Sequence, residues 1–235
     1  LYTAETCASD VPVYRGADKP LMRANEHAHW FHGADGMGNQ HYPPSKLPAR
    51  DGDAVDAIIE TARNHRGLTL VTLGPLTNIA LALGREPAIA SNVARCVVMG
   101  GNPCCEGNVT PAAEYNIWVD PEAAQIVFRS GMPIEMIGWQ LCRGEASLSP
   151  QEMRDIRAIG SPLAAFAMDC NRTAVESNYT QTGEIGLALA DPVAMAVALE
   201  PEICRQSSAH RVEIQTSSEL TRGMTVVDRL NVAND

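Results

Sequence analysis

Five polar side chains between residues 102 and 116 could bind a sugar. They are amide, hydroxyl and carboxylate groups that follow a short apolar segment ending at Met99: Asn102, Asn108, Thr110, Glu114 and Asn116. No Lys or Arg stands among them, and phosphate groups are usually bound through cations. The segment therefore predicts a site for a neutral polyol such as a sugar.

Two further positions carry oxygen donors of the kind that hard cations prefer. Thr77 follows the apolar segment that ends at Leu73, and Asp191 stands before Pro192. Oxygen donors without paired His or Cys residues favour Ca²⁺ or Mg²⁺, if a metal binds at all.

Several polar residues of these segments also have a structural interpretation. Asp191 and Asp120 both precede a proline, which is typical of a helix N-cap. Asn108 and Asn116 could be turn residues. The sequence leaves these alternatives open.

Histidine and cysteine give little evidence of a metal or nucleophilic site. His27, His29 and His32 are closely spaced, but no fourth ligand is specified, so zinc is not predicted. The glycine-rich string His32–Asn39 lacks the order of a nucleotide-phosphate motif. The seven cysteines form no C-x-x-C pair, which favours structural thiols in a reduced, cytoplasmic protein.

Hydrophobic patterning predicts the elements that must position these side chains. Strands are expected at Leu68–Leu73, Cys96–Met99, Ile134–Ile137 and, as the last one, Arg211–Thr216, with the first buried on both faces. Helices are expected to begin near Asp53, Asn78, Asp120, Ser149 and Asp191, and a long loop is expected over Asn102–Trp118. This alternation predicts an α/β fold with a mostly parallel open sheet flanked by helices. The strand ends should share one edge, where such sheets bind ligands.

Composition excludes some partners. The 18 Lys and Arg residues against 28 Asp and Glu give a net charge of -10, which disfavours nucleic acid and anionic membranes. No apolar run approaches the ~20 residues of a membrane-spanning helix. A soluble protein that acts on a small molecule is expected.

Six strings of the sequence resemble the inosine-uridine preferring nucleoside hydrolases. They occur in the family's order and span nearly the whole chain: DVPVYRGADKPL, HGADGMGN, LGPLTNIALAL, VVMGG, GNVTPAAEYNIWVDPEAA and DPVAMAVALEP. The fifth string, which begins at Gly107, is the most specific of them.

The resemblance implies hydrolysis of the N-glycosidic bond of ribonucleosides to ribose and a free base, with one Ca²⁺ ion. It also implies a homodimer or homotetramer. It assigns ribose contacts to Asn108, Glu114 and Asn116, a pocket-lining role to Met99, and a place near the base to His32. Asp191 would give the metal a carboxylate and Thr77 its main-chain carbonyl.

Two departures from the family pattern affect these expectations. The family's N-terminal cluster DxDxxxDD, which supplies the general base, has no match in Leu1–Asp10. We therefore expect the single domain over residues 1–235 to be incomplete at both ends, and the catalytic base is not assigned. Ala190 stands where many members carry His, and alanine cannot protonate a leaving base. Stacking of a base on Trp30, Trp139 or Tyr179 is one alternative, and simple packing of these rings is another.

Two other functions compete with the hydrolase. One is a non-catalytic relative that binds nucleosides or sugars without the general base. The other is a hydrolase that acts on a different glycoside with the same metal scaffold.

Overall fold

The computed structural model describes residues 1–232. Its helices are α1 (Tyr2–Thr6), α2 (His29–His32), α3 (Ala54–Asn64), α4 (Thr77–Arg85), α5 (Tyr115–Val119), α6 (Pro121–Phe128), α7 (Pro150–Ala158), α8 (Pro162–Asp169), α9 (Arg172–Thr182) and α10 (Ala190–Leu199). Its strands are β1 (Leu68–Thr72), β2 (Val93–Met99), β3 (Ile134–Ile137), β4 (Ser147–Leu148), β5 (Leu187–Ala188), β6 (Val212–Ile214) and β7 (Thr225–Val227). Among the helices of this part of the chain, none has the length and apolar character that crossing a membrane requires.

The chain divides into two compact units, each assembled from three segments. The first unit comprises Leu1–Arg15, Glu26–Asp51 and Arg143–Leu189. The second comprises Gly16–Asn25, Gly52–Cys142 and the described part of Ala190–Asp235. The larger sheet and its flanking helices belong to the second unit.

The second unit contains a parallel sheet in the order β1-β2-β3. Strand β2 is central, and its residues from Cys96 to Met99 are almost fully buried, as expected for a strand covered on both faces. The core continues into α3, α4 and α6 through buried aliphatic side chains such as Val55, Ile79 and Val127. The predicted α/β fold with a parallel sheet and flanking helices is confirmed.

Helix starts follow local sequence signals closely. The Asp53 side chain accepts a hydrogen bond from the Asp56 N–H and caps α3. Ser149 and Glu152 form the predicted capping box of α7. These starts depend on hydrogen bonds within one turn, so they can be predicted without knowledge of the tertiary fold.

Four predictions about the elements are wrong in detail. Strand β1 is only half-buried, because it is an edge of the three-stranded sheet. The loop predicted over Asn102–Trp118 is interrupted by α5, since Glu114 caps a new helix there. Helix α10 begins at Ala190 instead of after Asp191. Arg211–Thr216 is not the last strand, since β6 pairs in antiparallel register with the later strand β7.

The first unit packs helices around a small aromatic cluster. The rings of Tyr2 and Tyr42 stack with centroids 4.8 Å apart, and Phe166 lies 5.5 Å from Tyr42. Strands β4 and β5 pair in antiparallel fashion, and the buried Asn178 amide donates to the carbonyls of Glu184 and Gly186 beside them. This unit therefore depends on side-chain packing and local polar contacts more than on a sheet.

Candidate functional site

Loops that follow the three parallel strands begin along one edge of the second unit's sheet. The last residues of β1, β2 and β3 are Thr72, Met99 and Ile137, and the register pairs Met99 with Ile137 and Thr72 with Val98. The strands therefore end almost level, and we call this edge the carboxyl rim. All predicted site residues except His32 belong to this unit.

Glu114 is a deeply buried polar residue of the loop after β2, with 2% of its surface exposed. Its carboxylate accepts hydrogen bonds from the N–H groups of Asn116 at 2.9 Å, Gly101 at 3.0 Å and Ile117 at 3.3 Å. Two of these donors belong to the first turn of α5, so Glu114 is its N-cap. The third donor belongs to the bend after β2. One carboxylate thus fixes both ends of the loop.

Burial raises the pKa of Glu114 to about 7, above its ordinary value of 4.5. The three N–H bonds act in the opposite direction because they favour the ionised form, and the charge of Asp191 raises the pKa further. Near neutral pH the group is therefore present in both protonation states. The ionised carboxylate can accept a hydrogen bond from a sugar hydroxyl, and the protonated carboxyl can also donate one.

Asn102 shapes the same loop. Its Oδ1 accepts from the Glu114 N–H at 3.1 Å, and its Nδ2 donates to the carbonyls of Cys105 at 3.0 Å and Ala112 at 3.2 Å. These bonds hold the loop in shape around Glu114. The sequence did not distinguish this loop-forming amide from the amides predicted to bind a sugar, since the residue type is the same.

The structure brings Asn116 and Met99 together beside Glu114. The Asn116 Nδ2 lies 3.2 Å from the Met99 carbonyl oxygen and 3.3 Å from its sulfur. Both residues are buried. Asn108 accepts a hydrogen bond from the Tyr115 N–H at 2.8 Å, so it has at least the loop-forming role of a turn residue. The predicted ribose contacts therefore belong to one continuous polar cluster.

Thr77 begins α4 and is tied to a structural aspartate. Its Oγ1 donates to the Asp120 carboxylate at 2.6 Å. Asp120 is fully buried and also accepts from the N–H groups of Leu21 at 3.0 Å and Ala123 at 3.1 Å. The interpretation of Asp120 as a helix cap is confirmed, because the Ala123 N–H belongs to the first turn of α6.

Asp191 has a different environment from Asp120. It lies in the first turn of α10, so its interpretation as the N-cap is wrong. The residue has exposed surface, yet the protein around its carboxylate desolvates it enough to raise its pKa to about 6, from 3.8. Its charge also raises the pKa of Glu114, which indicates that the two carboxylates lie near each other.

The buried Cys142 thiol lies near the carboxylates of Glu114 and Asp191. The sequence did not distinguish it from the other cysteines. The Cys142 sulfur is 3.6 Å from the Gly138 carbonyl oxygen and 4.0 Å from that of Ala190. Burial, followed by the charges of Glu114 and Asp191, raises the pKa of this thiol to about 12. The thiol is therefore neutral and unreactive, in agreement with the structural role expected for the cysteines.

The predicted metal site has two assigned ligands among the described residues. Asp191 offers a carboxylate and Thr77 a main-chain carbonyl, whereas Ca²⁺ takes about six to eight oxygen ligands. Within residues 1–232, no group of three or more His, Cys, Asp or Glu side chains is arranged to hold a metal ion. Asp191 and Thr77 would therefore supply only part of the coordination shell of such an ion.

His32 ends α2 in the first unit. Its ring meets the Phe31 ring edge-on at 4.9 Å, and desolvation lowers its pKa below 6.5 although the residue has exposed surface. Its place near a base stays a prediction. Of the candidate stacking rings, Trp30 and Tyr179 are exposed, whereas Trp139 is 4% exposed.

Comparison with known proteins identifies relatives of the whole chain. Residues 1–235 match the family model described as inosine-uridine preferring nucleoside hydrolase. The pyrimidine-specific ribonucleoside hydrolase RihA of Salmonella enteritidis is 39% identical over 222 residues, which cover 93% of this chain and 70% of that protein. An uncharacterised protein of Schizosaccharomyces pombe is 39% identical over 221 residues, with 93% and 71% coverage.

Solved structures give the same result. A plant nucleoside hydrolase superposes with a TM-score of 0.91 at 29% identity, covering 100% of this chain and 74% of its own. A purine-preferring ribonucleoside hydrolase from Gardnerella vaginalis has a TM-score of 0.87 at 31% identity, with 97% and 74% coverage.

The parallel sheet, its polar carboxyl rim and these relatives define an enzyme of the nucleoside-hydrolysing class. The chain belongs to the inosine-uridine preferring nucleoside hydrolase family. The resemblance expected from the sequence is confirmed.

The raised pKa of Glu114 makes stability depend on pH. Folded Glu114 holds a proton up to about pH 7, whereas the unfolded residue releases it near 4.5, so the folded chain binds more protons in between. Its contribution is fully present below pH 4.5 and is lost as the pH rises through 7, by about 3 kcal/mol. Glu114→Gln cannot titrate and should lack this decline, as measured by urea unfolding between pH 4.5 and 8.

The matched control is Glu60→Gln on the exposed side of α3. It should keep the wild-type decline. Parallel stability curves for wild type and Glu114→Gln would show that the Glu114 pKa is not raised.

Proposed function

We propose that this protein hydrolyses the N-glycosidic bond of ribonucleosides, releasing ribose and a free base. The observation that carries the proposal is the cluster of Glu114, Asn116 and Met99 at the carboxyl rim. The cluster offers a buried carboxyl and a buried amide, and no cation stands in the loop that carries them, as suits a neutral sugar. The family membership supports nucleosides as the substrate class.

In this proposal Glu114 and Asn116 hold ribose hydroxyls, Asn108 adds a third polar contact, and Met99 lines the pocket. Bonds to buried hydroxyls are made away from bulk water, so they orient the sugar and strengthen as charge develops on it. Because Glu114 is pinned by three backbone N–H groups, it can perform this role without reorganisation.

Calcium dependence is a further part of the proposal. Asp191 and the main-chain carbonyl of Thr77 would give the ion two oxygen ligands, and a bound Ca²⁺ supplies a positive charge that binds hydroxyl and water oxygens. The raised pKa of Asp191 supports this assignment, because a desolvated carboxylate without a compensating cation is destabilised.

The base and the assembly complete the proposal. His32 would lie near the base, whose identity is open because similar proteins are named pyrimidine-specific in one case and purine-preferring in another. We also propose that the protein forms a homodimer or homotetramer. A reducing, cytoplasmic compartment is a further part of the proposal, and the seven free cysteines support it.

Ribose binding tests the site. Glu114→Ala and Asn116→Ala should each weaken D-ribose binding by about 1 to 3 kcal/mol, because sugar hydroxyls would lose buried partners. Isothermal titration with D-ribose measures this loss, and ribose released from uridine or inosine measures turnover.

Glu60→Ala, a change of the same kind on α3, should leave ribose affinity unchanged. Unchanged affinity in both site variants would remove the site assignment. Ribose binding without release of base would support the non-catalytic alternative.

The calcium proposal has a separate test. Asp191→Asn should lower Ca²⁺ affinity roughly tenfold or more, because the site loses its one assigned carboxylate. Calcium titration of the protein after treatment with a chelator measures the affinity. Asp155→Asn, at an exposed carboxylate on α7, should have no effect. Equal calcium affinity in the two variants would count against Asp191 as a ligand.

Ala190 tests the activation of the leaving base. It begins α10 directly before Asp191, where an imidazole could donate a proton. Ala190→His should raise turnover of inosine or uridine, by up to about 10²-fold, more than turnover of p-nitrophenyl riboside, whose leaving group needs no acid. Ala190→Asn, which is polar but does not titrate, is the control. An equal effect on both substrates would contradict this role.

A further inference from the structure

Four buried side-chain atoms of the second unit have no hydrogen-bond partner within the described chain: Thr72 Oγ1, Trp139 Nε1, Gln140 Oε1 and Thr225 Oγ1. All four lie at or beside the carboxyl rim. Thr72 ends β1, Trp139 and Gln140 closely follow β3, and Thr225 Oγ1 lies 2.7 Å from where a Cβ on Gly101 would be. Buried polar groups are nearly always paired, so this concentration of unpaired atoms indicates a polar ligand.

Trp139 is the most informative of the four. A hydroxyl can rotate and act as donor or acceptor, but an indole N–H can only donate. Trp139 is 4% exposed, and its buried Nε1 has no hydrogen-bond partner among the described residues. The group therefore needs an acceptor oxygen, and none is present among the described residues.

Main-chain contacts hold Trp139 next to the predicted sugar site. Its N–H donates to the Gly101 carbonyl at 2.8 Å, while the Gly101 N–H donates to the Glu114 carboxylate at 3.0 Å. The Cys142 N–H donates to the Trp139 carbonyl at 3.0 Å, and the Cys142 sulfur approaches the Ala190 carbonyl at the start of α10. Trp139 thus lies between the bend that holds Glu114 and the helix that carries Asp191.

We propose that Trp139 is a further substrate-binding residue, whose indole N–H donates a hydrogen bond to a hydroxyl oxygen of the sugar. The proposal rests on the proposed function, since it needs the sugar site of Glu114 and Asn116. A neutral donor suits a neutral hydroxyl oxygen, as do the carboxyl and amide groups already at the rim. The ring is enclosed, so the contact is made by its N–H edge and not by stacking of its face on a base.

The test removes the donor and keeps an aromatic ring. Trp139→Phe should weaken D-ribose binding about 3- to 10-fold, as expected for one neutral hydrogen bond, and leave the affinity for free uracil or hypoxanthine unchanged. The matched control is Trp118→Phe in the same unit, where Arg222 covers the ring at 4.1 Å. Equal ribose affinity in the two variants, or an effect confined to the free base, would overturn the proposal.

A second measurement uses the unmodified protein. Its three tryptophans give three indole N–H signals, which Trp30→Phe and Trp118→Phe assign by elimination. Saturating D-ribose should move the Trp139 signal downfield while the other two stay in place. A Trp139 signal that does not move while ribose binds would overturn the proposal.

The two proposals fail differently. If Glu114→Ala and Asn116→Ala leave ribose binding intact, the proposed sugar site is wrong and the Trp139 proposal is wrong with it. If those variants lose ribose and Trp139→Phe does not, only the assignment of Trp139 is wrong.

Discussion

The buried carboxylate of Glu114 is the interaction on which the candidate site depends. Removing a carboxylate from water is costly, and its three backbone N–H donors offset that cost only in part, as the pKa near 7 shows. Through the same bonds the group caps α5 and holds the bend after β2. The carboxylate whose burial is costly is thus also the group that fixes the shape of the loop.

Asp120 and Asp191 each precede a proline, but their surroundings in the folded chain differ. Asp120 is fully enclosed and accepts three hydrogen bonds, from Leu21, Thr77 and Ala123. It fastens α4 and α6 to a preceding segment. Asp191 is in the first turn of α10, retains exposed surface and has a raised pKa. The Asp120 carboxylate is therefore paired within the protein, whereas the Asp191 carboxylate is desolvated and still has exposed surface.

Three further residues of the carboxyl rim hold their neighbours in place. Asn102 closes the loop around Glu114, Gly101 joins that carboxylate to Trp139, and the neutral Cys142 thiol fills the space beside Ala190. None of these carries a charge. The rim therefore concentrates two carboxylates in a largely neutral environment, which suits a sugar substrate and keeps both pKa values high.

The sequence by itself determined the α/β class, most helix starts and the family, because strand patterning, capping residues and the string from Gly107 to Ala124 are local signals. It could not separate Asn102 from Asn116, or Asp120 from Asp191, since each pair shares one residue type and similar neighbours in sequence. Only the tertiary structure shows that the members of each pair differ in burial and in hydrogen-bond partners. Burial and the partners available across the rim depend on segments that are distant in sequence. These contacts raise the pKa of Glu114 and leave the Trp139 indole N–H without a partner among residues 1–232.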